Sequence, residues 1–186
     1  MSNWAPARDR GAFSPKGGGI IKVKEVNDDG TDLSTPSTIY DLGFLQETTF
    51  ADSTPTDQFK DEAGDTVQTI EGDRSVTVVG TLMQRDKAIL DMAKECRGKF
   101  YAMYKYNGIV NGKHQEVFFG IGKVDPAFEV KLQGGTVPFK FTAMKTPAAI
   151  VIASASLTAS FWNTKTTTTV TIPVDDYYLI CETTVS

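Results

Sequence analysis

A chain of 186 residues, 40% hydrophobic and 23% charged, is long enough for one sizeable core, and its length demands no second domain. No window approaches the roughly 20 apolar residues needed to span a bilayer, so membrane anchoring is not expected. The net charge of −4 argues against a tight duplex-DNA binder, and a single histidine leaves the usual nucleophile, base and orienter constellation without an obvious base.

The first nineteen residues, "MSNWAPARDRGAFSPKGGG", contain two prolines and a triple glycine and cannot bury enough surface to fold alone, so they read as an arm. They hold neither a hydrophobic core region nor a cleavage site of signal-peptide type, so cytosolic synthesis is expected. Trp4 and Phe13 would gain by docking, with a neighbouring subunit as the natural candidate. From Ile20, "IIKVKEV" reads as a strand and "NDDG" as a turn. "STIYDLGFLQETTFA" is a longer strand with Gly43 as a bulge or close-approach site. The polar "DSTPTDQFKDEAGDT" that follows exceeds the needs of a tight hairpin.

"RSVTVVGTLMQ" resumes strand character, with Val76, Val78 and Leu82 on one face and Thr77, Val79, Thr81 and Met83 on the other. Both faces are semi-apolar, as expected where each meets protein. In "RDKAILDMAKECRG", Ile89, Met92, Ala93 and Cys96 recur at helical spacing, Asp86 caps or charges the first turn and Gly98 closes the last, which predicts one helix over residues 86–97. Strands and turns follow: "KFYAMYKY", a connection "NGIVNGKHQ" with two Asn-Gly pairs, "EVFFGIGKV", a turn at Asp125 and Pro126, "AFEVKL", a "QGGT" hairpin and "VPFKFTAMK". The section from residue 147, rich in Ala, Ser and Thr, predicts two or three further strands packed on the same domain. The predicted fold is mainly β, a sandwich or barrel with one flanking helix: an arm over 1–19, a domain over 20–146 with an extended loop at 52–66, and a β extension over 147–186.

Chemistry is sparse. His114 sits beside Gly112 and Lys113 in a predicted turn, and the adjacent carboxylates Asp61/Glu62 and Asp175/Asp176 point apart on extended chain, which is poor geometry for acid and base catalysis. "DEAGD" lacks the spacing and terminal glutamate of a calcium loop, and Gly17–Gly19 is not followed by the residues of a phosphate cradle. Cys96 and Cys181 have no His or Cys neighbours and read as buried small hydrophobes. No catalytic residue, metal site or cofactor is expected. The charge is uneven: residues 20–65 carry eleven acidic and three basic side chains, residues 74–145 six acidic and twelve basic. Either one copy's surface attracts another's opposite surface, or both sets are merely solvated.

From about Ile20 to Lys145 the sequence resembles the tail tube proteins, or major tail proteins, of tailed bacteriophages. The resemblance rests on the order of "IYDLGFLQETTF", the long polar loop with its Asp61-Glu62-x-Gly64 turn, and "SVTVVGTLMQRDK" running into a single helix and then strands to the end; the Thr-rich segment after Pro147 has no counterpart in it. It implies a non-enzymatic structural subunit of the virion, assembled in the bacterial cytoplasm into stacked hexameric rings whose inner sheets join as one barrel around a DNA-conducting channel. Twenty-four strands at ~4.8 Å spacing and ~40° tilt would leave a bore of roughly 35–40 Å, wide enough for duplex DNA. It also implies tape-measure and terminator partners, a helix sealing the outer face of the sheet, and exposed ladder edges paired between neighbours. In the loop, Asp57, Lys60, Asp61, Glu62 and Asp65 would meet basic residues of another copy, such as Lys94, Arg97 and Lys99, while the arm with Trp4 and Phe13 docks across subunits. Gln46, Thr48, Gln68 and Glu71 are the candidates to line a non-adhesive lumen. The inner tube protein of a contractile injection system is a near variant of this reading, and a carbohydrate-binding or adhesin β-sandwich module is its alternative.

Overall fold

The computed structural model describes residues 20–35, 38–60, 62–82, 87–125, 137–153, 161, 166 and 168–185, with the backbone alone at 44–47 and 88. Eleven strands and one helix are found among them: β1 (Ile20–Val26), β2 (Ile39–Ser53), β3 (Thr56–Lys60), β4 (Thr66–Glu71), β5 (Ser75–Leu82), α1 (Lys87–Glu95), β6 (Phe100–Val110), β7 (Lys113–Val124), β8 (Val137–Ala143), β9 (Ile150–Ile152), β10 (Val170–Ile172) and β11 (Leu179–Thr184). The mainly β fold with one helix predicted from the pattern is the fold adopted. Met83 and Asp86, the "AFEVKL" and "QGGT" segments, and Trp4 and Phe13 of the arm lie outside the described residues.

The principal sheet runs β11-β7-β6-β1-β2-β5-β8, antiparallel throughout, and β8 pairs back onto β7. Six strands therefore form a closed barrel, and β7 belongs to two neighbours in turn. Its first half, Lys113–Phe118, pairs with β11, and its last part, Gly122–Val124, pairs with β8. The switch is made by a bulge: Met103 opposes Phe119 while Tyr101 opposes Gly122, so one extra residue is inserted on β7 and the side-chain alternation reverses. Gly122 is required at the seam. A β-carbon there would sit 2.3 Å from the Phe141 ring and 2.6 Å from the Thr142 carbonyl oxygen.

Within one chain, then, the main sheet seals most of its own ladder. This differs from the expectation that its edges stay unpaired until copies close a ring. Among the described strands the open edges belong to β11, to the two-stranded β9–β10 sheet and to the two-stranded β3–β4 ribbon.

The barrel interior holds the larger core, with Ile21, Val23, Leu42, Val76, Val78, Met103, Phe119 and Phe141 all fully buried. Strict alternation in β8 places Val137, Phe139 and Phe141 inside and Pro138 and Lys140 outside. Ile89 and Met92 of α1 and Cys96 just after it join this interior cluster. The helix thus plugs one end of the barrel; the outer-face position implied by the family resemblance is not the one found. A Lys87–Asp91 ion pair and the positive φ of Gly98 after its last turn support its two ends. At the opposite end Phe50 meets Phe119 and Tyr178 edge to face, with centroids 6.0 and 5.1 Å apart, and those two rings lie tilted against each other at 5.8 Å.

A second core lies outside the barrel on β1, β6 and β7, where Val26, Ala102, Tyr104 and Phe118 are covered by Ile152, Phe161 and Ile172. The carboxyl-terminal extension is therefore the second layer of the sandwich. Gly120 makes room for it, since a β-carbon there would fall 2.4 Å from Ile150 Cδ1. Glu116 is fully buried in this layer and accepts hydrogen bonds from Tyr104 Oη (2.7 Å) and the Thr166 backbone N–H (3.2 Å).

Three local expectations are corrected. Strand β6 passes through the first Asn-Gly pair, because Gly108 (φ 94°) takes up a bulge; the hairpin turns only at Asn111 and Gly112, with φ of 50° and 74° as a two-residue primed turn needs. His114 is on strand β7, not in a turn, and its Nδ1 lies 2.7 Å from Tyr106 Oη. The outer face of β5 is not covered by any described element: Val79 is 40% exposed, while Val76, Val78 and Leu82 on the inner face are buried. Gly43 does mark a bulge, with φ 60° and a register shift opposite Ile21 and Lys22.

Candidate interaction surfaces

Strands β2 and β5 leave the barrel side by side and continue, after a break at Pro55 and Gly72, as the β3–β4 ribbon. The Gly72 N–H donates to the Pro55 carbonyl at 2.7 Å and closes the neck. From Thr56 to the tip at Gly64 the ribbon reaches roughly 25–30 Å. Every described residue of both strands is exposed, and Phe59, Val67 and Ile70 among them are 55%, 70% and 45% accessible. An isolated two-stranded ribbon is marginal in water, and three large apolar side chains on one mark a surface that needs covering.

The predicted loop is therefore a structured hairpin, and it extends to Glu71, beyond the limit of 66 read from the sequence. Asp57 and Lys60 lie on β3, Glu62 and Asp65 in the tip; Asp61 lies outside the described residues. Of the lumen candidates, Gln68 and Glu71 are on the same ribbon, while Gln46 and Thr48 are on β2. Gln46 pairs through its backbone with Thr81, and Thr48 is half-buried.

The three basic candidates gather at the other end of the barrel. Lys94 is exposed in the last turn of α1 and Arg97 in the turn after it, but Lys99 is engaged within the chain by Glu25, at 2.9 Å. That pairing holds the Lys99 amine above its ordinary range.

No local pattern in the sequence marks the residues that fix the ribbon's root. Asp52 ends the inner row of β2 and Arg74 immediately precedes β5. Arg74 donates through Nε and Nη2 to the two carboxylate oxygens of Asp52, at 2.8 and 2.6 Å. Tyr178 Oη donates to the same carboxylate at 2.7 Å, Tyr177 Oη to the Arg74 carbonyl at 2.9 Å, and the guanidinium lies 5.2 and 5.6 Å from the two tyrosine rings. The Arg74 hydrogen bonds hold the Asp52 carboxyl well below the usual range, at about 2. This clamp gives the ribbon a defined root against the barrel.

Concavities among the described residues lie elsewhere on the barrel. One, of about 310 Å³, lies between the turn at Asp29–Asp32 and Ala148–Ile152, where Lys24 is already paired with Asp32. Another lies beside the carboxyl end of α1. Among the described residues, no group of three or more His, Cys, Asp or Glu side chains is placed to hold a metal, and no helix is long and apolar enough to cross a membrane. No family model and no curated protein matches the chain.

Proposed function

We propose that this chain is a self-assembling structural subunit of a phage tail tube, stacking in hexameric rings around a channel that conducts double-stranded DNA. The observation that carries the reading is the β3–β4 ribbon, which projects from one end of a well-packed barrel, exposes Phe59, Val67 and Ile70, and is clamped at its root so that it keeps its direction. A rigid arm of that kind gains most of its apolar burial from another molecule. The acidic ribbon and the basic candidates at the far end of the barrel suit repeated association of like copies. Tape-measure and terminator proteins and a place in the virion belong to the same proposal.

Negative-stain microscopy of the concentrated protein tests it: regular hollow tubes or rings are expected. Replacing residues 55–72 by a two-residue turn should leave a folded barrel that forms neither. Normal tubes from that variant would remove the ribbon from assembly. A second reading, a monomeric ligand-binding module, is favoured by the closure of the main sheet within one chain. A chain that stays monomeric at high concentration and binds a glycan would establish it instead.

A further inference from the structure

Asn107 stands where strand β6 leaves its ladders. Pairing with β1 stops at Lys105, and on the other side Tyr106 opposes Glu116 while Gly108 opposes Gln115, so the register skips Asn107. This is the bulge at which Gly108 takes its φ of 94°. The Asn107 side chain, in contrast to its backbone, is held at both ends. Lys105 Nζ donates to its Oδ1, and its Nδ2 donates to Gln115 Oε1 at 2.9 Å. Gln115 donates in turn to Glu182 at 3.3 Å, and the same carboxylate accepts from Lys113 at 3.5 Å.

Lys105 is the group that this arrangement leaves without a counter-charge. It is 6% exposed, opposite Ile21 on one neighbouring strand and Val117 on the other. Its side-chain partner among the described residues is the neutral carboxamide of Asn107, and burial holds the amine down to about 8 with no nearby charge to offset it. A carboxylate in place of that carboxamide would complete an ion pair where the chain now buries a lone amine.

The pair Asn107–Gly108 offers a route to one. Glycine has no β-carbon to shield its backbone nitrogen and turns freely, so the nitrogen after an asparagine closes a ring on the side-chain carbonyl carbon most readily when it belongs to glycine. Negative charge gathers on Oδ1 as that bond forms. Lys105 already donates to Oδ1, which is the place of an oxyanion donor.

We propose that Asn107 is a self-processing site, converted to aspartate within the folded chain. The Gly108 nitrogen bonds to Asn107 Cγ, and Nδ2 leaves as ammonia with the proton of the Gly108 N–H. Water then opens the cyclic imide, so that one water is consumed and one ammonia released for each carboxyl formed. Opening at Cγ restores the ordinary backbone and sets a carboxylate against the Lys105 ammonium. Lys105 thus acts twice, first on the reacting carbonyl and then as the partner of the product.

The second pair, Asn111–Gly112, is exposed in the hairpin turn and serves as a reference within the same molecule. The freshly purified full chain, incubated at neutral pH and mapped by tandem mass spectrometry, should show the amide-to-acid mass change at Asn107. In Lys105→Met the rate at Asn107 should fall about tenfold or more while the rate at Asn111 stays the same. Asn107→Asp, the product itself, should unfold at higher urea than wild type at pH 7, and that gain should vanish when Lys105→Met is added. Conversion at Asn111 alone, conversion at Asn107 that is as fast without Lys105, or an Asn107→Asp chain less stable than wild type overturns the proposal. None of these readouts depends on whether the chain assembles.

Discussion

Tyr178 and Asp52, 126 positions apart, meet at a 2.7 Å hydrogen bond on the mouth of the barrel. Through it the extension that covers the outer layer also reaches the root of the ribbon. The Asp52–Arg74 fork alone would hold the neck shut, but a fork on an exposed neck can swing. Stacked against Tyr177 and Tyr178, it is fixed relative to the barrel. Asp52→Asn should cost only about 1 kcal/mol of global stability, the usual scale of a partly exposed ion pair, yet it should free the ribbon. Limited proteolysis is expected to cut at Ser53–Pro55 and Gly72–Asp73 several-fold faster while the barrel stays intact; Tyr178→Phe should give a smaller change of the same kind.

The same clamp has an acid limit. The Asp52 carboxyl is held down to about 2 in the folded chain, from an ordinary value of 3.8. A depressed carboxyl stabilises the fold above its unfolded value, and that contribution is lost as the pH falls from about 4 toward 2. Assembly measured down this range should weaken in the wild-type chain before the barrel unfolds. In Asp52→Asn it should already be weak at neutral pH and lose that part of its pH dependence.

What could be read from the sequence followed burial period. β5, β8 and α1 show one clean buried face each, and the residues of that face fell where alternation or helical spacing put them. The polar stretch after β2 was legible as an unusual segment; its ribbon form was not, although Phe59, Val67 and Ile70 spaced among polar residues were a hint of strand. The remainder depends on contacts that no local pattern encodes. The face reversal at Gly120–Gly122 closes the barrel, and the same glycines would serve a loop or an ordinary strand. The clamp joins residues from three distant segments. The extension was readable as strands and the aromatics of β6 as a buried face, but no local pattern says that the one covers the other.

Lys105 predicts a different pH effect. It is 6% exposed on β6, on the inward parity of Tyr101 and Met103, with its Nζ on Asn107 Oδ1, and burial lowers its amine to about 8 from 10.5. With the folded value depressed, both states are neutral above about pH 10.5 and nothing is lost. As the pH falls to about 8 the unfolded chain takes up protons that the native one refuses, and below that the penalty is complete. Lys105→Met should therefore be more stable than wild type at pH 7 by about 1–3 kcal/mol. The difference should shrink between pH 8 and 10.5, as read from urea unfolding of the two proteins side by side.

Ile172 tests the outer layer. Its side chain is fully buried in the second core, with its Cδ1 over Gly120. Ile172→Ala removes three carbons from a site whose floor is rigid sheet, so it should cost about 2–4 kcal/mol. If the extension were an accessory tail, chemical denaturation would show the loss of a separate early transition with the barrel unchanged. A single cooperative transition at lower denaturant is the expected result, because Phe118 and Tyr104 lie on the strands that also form the barrel wall.

Gly122→Ala strikes the closure itself. The new methyl would meet both the Phe141 ring, which is fully buried between Phe119 and the seam, and the Thr142 backbone oxygen, which cannot rotate away. Relief requires β7 and β8 to part over Gly122–Val124, where only three residue pairs hold them. A loss of about 2–4 kcal/mol is expected, in the range of overpacked cores or somewhat beyond. Hydrogen exchange should localise it, with faster exchange of the Asp125 and Met144 amides, which donate across the seam to the Lys140 and Ile121 carbonyls at 2.9 and 3.0 Å. Amides of β1 and β6 on the far wall should keep their protection. Uniform loss across all six strands would mean that the seam has no local opening and that the barrel breaks as a whole.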